Sequence, residues 1–155
     1  MPETAESLSY DNKGKCSVCE QIAYKKDNID WSKRLSNLKQ LVSDHKGKND
    51  YDCIVPFSGG KDSTFTLYYL VKKLGLKCLV VRFDHLFMRP TVEENAMKTF
   101  AKLGVDVIKF SPNLKVVKML MFESLFRRGD FCWHCHVGVT AYPVQIAIEK
   151  KIQDA

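Results

Sequence analysis

Nowhere in this chain does an apolar run approach the ~20 residues that a membrane-spanning helix needs, so no span is expected. No secretory leader is expected either. Met1-Pro2-Glu3-Thr4-Ala5-Glu6 is polar and acidic, where a signal peptide is basic and then apolar. Internal repeats and low-complexity stretches are absent, which excludes a repeat array and a biased, disordered tract. No stripe of interleaved basic and aromatic residues marks a nucleic-acid surface. These absences predict a cytoplasmic protein whose expected partner is not nucleic acid.

What is present fits a globular domain. The 155 residues are 45% hydrophobic and 27% charged, a chain long enough to bury a core without a staple. The formal net charge of +6 suits anionic ligands, phosphorylated ones included. Its positive residues, however, come as scattered pairs such as Lys72-Lys73, Arg127-Arg128 and Lys150-Lys151, which read as solvated helix ends. In a reducing compartment, six cysteines point to metal binding or catalysis rather than to disulfides.

Two regions are expected. Residues 1–49 form a segment with a Cys-x-x-Cys pair and one helix, and residues 50–155 form an α/β domain. Asp30 can cap a helix in which Trp31, Leu35, Leu38, Val42 and His45 recur at helical spacing, closed by Gly47 and Asn49. Cys53 to Phe57 reads as a buried strand, with Pro56 tolerable only near its end. After a glycine turn, Phe65, Tyr68, Val71 and Leu74 mark a helix that ends at Gly75. Cys78 to Phe83 is a second strand, apolar almost throughout, as strands covered on both faces are. Val92, Ala96, Phe100 and Leu103 share a helical face that stops at Gly104, and Val105 to Phe110 forms a third strand. Leu114–Phe126 and Val137–Lys151 then look helical. Strand alternating with helix predicts right-handed crossovers and a parallel, Rossmann-like sheet, with ligands beyond the carboxyl ends of its strands.

The glycine turn stands at one of those ends. In Ser58-Gly59-Gly60-Lys61-Asp62-Ser63 the two glycines let the backbone turn tightly and approach a ligand with no Cβ in the way. Successive amides then form a nest for anionic oxygens, and the following helix adds its free N–H groups and positive dipole end. Lys61 supplies a full charge, and Ser58 and Ser63 supply hydroxyls. Asp62 alone would repel phosphate, so it caps the helix or helps hold Mg²⁺. This is not the Walker pattern, which places four residues between its first glycine and its Gly-Lys pair.

The six-residue string resembles the pyrophosphate loop of the ATP-pyrophosphatase superfamily, which includes amidating synthetases for GMP, NAD and asparagine and several tRNA thiolases. The resemblance implies an adenine nucleotide alpha hydrolase-like fold, ATP and Mg²⁺, cleavage between the α and β phosphates, and Lys61 and Asp62 as catalytic candidates. It places the end of the second strand, Phe83, Asp84 and His85, near the adenine. A longer likeness joins Asp11-Asn12-Lys13-Gly14-Lys15-Cys16-Ser17-Val18-Cys19, the loop, and Gly129-Asp130-Phe131-Cys132-Trp133-His134-Cys135-His136. These resemble the N-acetyl sugar amidotransferases, which convert a sugar acetamido group to an acetamidino group in making surface polysaccharide, lipopolysaccharide O-antigen included. That implies a nucleotide- or lipid-linked N-acetyl sugar as substrate and a separate glutaminase as the source of ammonia. The likeness covers only the N-terminal part of a typical member. A truncated sheet is therefore expected, with a second chain as a candidate to complete it. A tRNA thiolase and a non-catalytic nucleotide-binding subunit are the alternatives.

Cys16-x-x-Cys19 and Cys132-x-x-Cys135 are two knuckle-like pairs, each able to grip one ion from a turn. Four thiolates would suit structural Zn²⁺, with an iron–sulfur cluster as the second choice. Cys53 and Cys78 lie in strand runs and read as small core residues. His134 and His136 flank Cys135; either could serve as a ligand or an acid–base group, but a solvent-exposed turn position is the expectation for both.

Overall fold

The computed structural model describes residues 8–152. The chain divides into two compact units, Met1–Leu41 and Val42–Ala155. In the first unit Asp11 builds a tight turn, its Oδ1 accepting the Lys13 amide at 2.9 Å and the Lys15 amide at 2.8 Å. The turn brings Tyr10 opposite Cys16 and leads into helix α1 (Ser17–Asn28). The sequence pattern does not predict α1, because a helix with no buried residue carries no apolar stripe to read. Asp30 does cap helix α2 (Trp31–His45), its Oδ1 accepting the Lys33 amide at 2.9 Å. The last turn of α2, from Val42, belongs to the second unit.

The second unit is Rossmann-like. Strands β1 (Cys53–Pro56), β2 (Cys78–Phe83) and β3 (Asp106–Phe110) form one parallel sheet in the order β1-β2-β3. Helix α3 (Lys61–Tyr68), which continues as a wider π-helical turn over Tyr69–Lys73, joins β1 to β2. Helix α4 (Pro90–Leu103) joins β2 to β3, and Pro90 stands in its first turn, where the missing N–H costs nothing. Helices α5 (Leu114–Arg128) and α6 (Trp133–Glu149) follow. Asn113 caps α5 by accepting the Lys115 amide at 2.9 Å. The start of α6 lies earlier than the sequence predicts, because Cys132 acts as its N-cap and the Cys-Trp-His-Cys run is helix rather than turn.

Alternating strand residues feed two cores. Val55, Cys78 and Val80 face α3 and α4, where they pack with Leu67, Ala96 and Phe100. Ile54, Leu79 and Val81 face the other way, onto Ile146 and Ala147 of α6. This is why β2 reads as a continuous apolar run: it is the central strand and is covered on both faces. β1 is an edge strand, and it tolerates Pro56 for that reason. At the amino ends of the strands, Asp52 ties three segments together by accepting the Gly47 amide at 2.6 Å and the Lys77 amide at 2.7 Å.

Candidate nucleotide-binding site

Past Pro56 the ladder makes one further bond, from the Phe57 amide to the Val81 carbonyl at 3.0 Å, and then the chain leaves the sheet. The buried Phe57 ring meets Phe100 edge-on, 4.7 Å between centroids, and fixes the exit point. Gly59 then takes a φ of +85°. A Cβ there would stand 2.7 Å from Val92 Cγ1, so glycine is required both by the backbone and by the approach of α4. Gly60 is the N-cap of α3, and its carbonyl accepts the Thr64 amide at 3.1 Å, Thr64 Oγ1 at 2.9 Å and Ser63 Oγ at 3.1 Å. Ser58 Oγ and Ser63 Oγ lie 3.2 Å apart across the turn. Thr64 makes the first intrahelical bond of α3, so the amides before it point out of the helix end with no partner in that helix. Lys61 and Asp62 open α3 and are exposed. No side chain caps α3, so Asp62 does not serve as its cap. A cavity of about 600 Å³ opens from Gly59, Gly60 and Lys61 between α3 and α4, past Phe65, Tyr68 and Thr99, a volume within the range of nucleotide-sized sites.

The end of β2 holds a charge network that the sequence reading passed over. Arg82 is 4% exposed in an otherwise apolar strand, and its guanidinium lies over the rings of Phe57 and Phe100. It donates both arms of its fork to Glu93 in α4, at 3.0 and 2.7 Å. Lys109 of β3 reaches Glu93 at 3.1 Å and Asp84 at 3.0 Å. The Arg82 fork holds the Glu93 carboxyl below its ordinary range; burial opposes this and Lys109 adds to it. Burial pulls Asp84 upward, but the Leu86 amide and Lys109 outweigh it and leave that carboxyl lowered too. Bonding to Asp84 raises Lys109, against burial and with help from Glu93. The sequence signal for this network was Arg82 itself, a charge inside a buried strand that must find a partner.

Phe83 and Asp84 stand at the same end of the sheet as the loop, and both are engaged by protein groups. The Phe83 ring lies against Gly138 of α6, where an added Cβ would come within 2.5 Å of it, and faces Phe110 at 5.8 Å. Asp84 accepts the Leu86 amide at 2.9 Å and Ser111 Oγ at 3.2 Å besides Lys109. His85 accepts the Phe87 amide at 3.2 Å through Nδ1. His134 departs from expectation: it lies in the first turn of α6, 6% exposed, with neither ring nitrogen partnered among the described residues. His136 is exposed, as expected.

Both cysteine pairs take one local form, with the first cysteine at a helix N-cap and the second three residues on, in the first turn. Hydrogen bonding from the Cys19 amide and thiol lowers Cys16, and Cys19, held protonated as the donor, is raised. Burial, followed by the neighbouring Cys132, pushes the Cys135 thiol up. Among the described residues no three His, Cys, Asp or Glu side chains gather into a group that could hold a metal ion. Each pair alone offers two thiols where a tetrahedral site takes four; Cys16 and Cys19 belong to the first unit, Cys132 and Cys135 to the second, and neither pair gathers a third ligand among the described residues for zinc or an iron–sulfur cluster. No helix of the described residues is long and apolar enough to cross a membrane.

No protein-family model matches the chain. An uncharacterised protein of Methanocaldococcus jannaschii is 30% identical over 135 residues, 86% of this chain and 47% of that protein. A glutamine-hydrolysing GMP synthase of Pyrobaculum aerophilum is 35% identical over 69 residues, 44% of this chain and 14% of the synthase. The chain thus matches about half the length of one relative and a small part of the other. The synthase is a member of the superfamily that the loop resembles. The likeness supports that superfamily and nothing narrower.

Proposed function

We propose that this chain is an ATP-dependent, adenylating amidotransferase, or the ATP-binding part of one, that converts a sugar acetamido group to an acetamidino group in surface polysaccharide biosynthesis. The observation that carries the ATP-binding part of this reading is the glycine turn at the carboxyl end of β1. There Gly59 is in the left-handed region, and Lys61 stands beside the unbonded amides that open α3. In this reading the loop amides and Lys61 grip the β and γ phosphates of ATP, and Asp62 and the loop hydroxyls face the Mg²⁺ that accompanies them. The acetamido oxygen attacks the α phosphorus, pyrophosphate leaves into the loop, and ammonia then displaces AMP from the activated carbon. Holding pyrophosphate lets the chain favour the leaving group as its charge develops. The proposed partners are a nucleotide- or lipid-linked N-acetyl sugar, a separate glutaminase and a second chain beside the β1 edge, in the cytoplasm.

Calorimetry with MgATP tests the binding half. Losing a charge-assisted phosphate contact costs ~1.5–3 kcal/mol, so Lys61→Ala is expected to weaken ATP roughly tenfold or more, and equal affinities refute the assignment. AMP release tests the chemistry, measured with MgATP, ammonium and a nucleotide-linked acetamido sugar, with and without a candidate partner chain. AMP that forms only when the acetamido sugar is present supports the transfer. AMP formation indifferent to the sugar under every condition rules out this substrate.

A further inference from the structure

Away from the loop, at the opposite ends of β1 and β2, two thiols meet. Cys53 and Cys78 are direct partners in the parallel register, so their backbones lie about 4.8 Å apart, within the Cα separation that a disulfide spans. Their sulfurs lie 3.5 Å apart. Cys78 is 2% exposed and packs in the core with Val55 and Leu67, whereas Cys53, at the rim of that core, is only half-buried. Neither thiol has a part in nucleotide binding. Two thiols held at contact distance by a strand ladder are preorganised for bond formation, because the ladder has already set the separation and direction of both Cβ atoms.

We propose that Cys53 and Cys78 are an oxidation site, a cross-strand dithiol that a hydroperoxide converts reversibly to a disulfide. The Cys53 thiolate attacks one peroxide oxygen, the O–O bond breaks, and Cys53 sulfenic acid forms as hydroxide or alkoxide departs. The Cys78 sulfur then attacks the sulfenic sulfur, the S–O bond breaks, and the departing hydroxide takes the Cys78 proton and leaves as water. Two electrons pass from the sulfurs to the peroxide, and a dithiol reductant reverses the change. Cys53 acts first because it is the less buried of the two residues. The bond from Cys78 favours the Cys53 thiolate, outweighing burial, and raises the Cys78 thiol well above the ordinary range.

Peptide mapping of the folded chain tests this. The protein is treated with hydrogen peroxide, alkylated and digested without reduction. The expected product is a Cys53–Cys78 linked peptide, lighter by two hydrogens than its parts and lost on dithiothreitol treatment. It should form roughly tenfold faster or more than in the chain unfolded by guanidinium, where the preorganisation is gone. In Cys78→Ser, Cys53 should instead accumulate as a sulfenic acid that dimedone traps. The inference fails if Cys53 and Cys78 are both recovered as free thiols at a peroxide dose that consumes the exposed Cys19. It fails equally if Cys53 links mainly to another cysteine, or if folding gives no rate advantage. None of these outcomes depends on whether the chain binds ATP.

Discussion

Gly59 constrains the shape of the loop, and Glu93 the charge balance at the end of the neighbouring strand. At Gly59 a side chain would meet both a left-handed backbone and Val92 at 2.7 Å. Gly59→Ala is expected to cost about 1–2 kcal/mol for the backbone alone, more once Val92 yields, and to weaken MgATP binding at the same time. Urea melts and calorimetry on the same preparation check both. Wild-type values in both would show that the turn is not under this constraint. Glu93 is the second residue, because it neutralises a guanidinium that is 4% exposed. Glu93→Gln leaves Arg82 without its counter-charge, at a cost below the ~3–5 kcal/mol of a fully buried pair because Glu93 is a third exposed. Its pH signature is specific. The folded-state pKa values of Glu93 and Asp84 are lowered, so the stability they contribute is complete above the ordinary carboxylate range and is lost as pH falls through the lowered values. Stability of the wild type should therefore fall on acidification below about pH 4, and Glu93→Gln should show a shallower fall. Parallel curves for the two proteins would remove the network from the account.

At the scale of elements, α6 is held to the sheet by an absent side chain. Gly138 lies on the Phe83 ring so closely that any Cβ would come within 2.5 Å of it. Gly138→Ala must push α6 outward or turn the ring, a case of overpacking that costs about 1–3 kcal/mol. Phe83→Leu should recover part of that loss in the double variant, because it removes the atoms that clash. Strictly additive effects in a double-mutant cycle would show that helix and ring do not meet. The same packing explains why α6 was legible only in part. Its apolar residues predict a helix from Val137, but the turn before it, which carries Cys132, His134 and Cys135, has a composition suited equally to a metal knuckle or a helix start. The structure makes that turn the first turn of α6, with Cys132 as N-cap, and leaves His134 6% exposed where local sequence places it on the surface.

Across the whole molecule, stability is unevenly distributed. Among the described residues of the first unit only Cys16 is buried, while β2 is buried from Cys78 through Arg82. Local opening is cheap where little apolar surface is covered. Amides of α1 are therefore expected to exchange with solvent orders of magnitude faster than those of Leu79 to Val81, whose exchange should track global unfolding. Hydrogen exchange followed by mass spectrometry checks this, and matched protection in the two segments would contradict it. From the sequence alone one could read the alternation of strand and helix, the parallel sheet, the helix stop at Gly104 and the glycine turn between β1 and α3. Each of these is written in residues adjacent along the chain: apolar period, glycine at a left-handed turn, lysine at a helix start. Only the tertiary structure decided the partner of Arg82, the thiol pair at Cys53 and Cys78 and the burial of His134. Those depend on register between strands and on distances between segments far apart in sequence, which spacing along one chain does not encode.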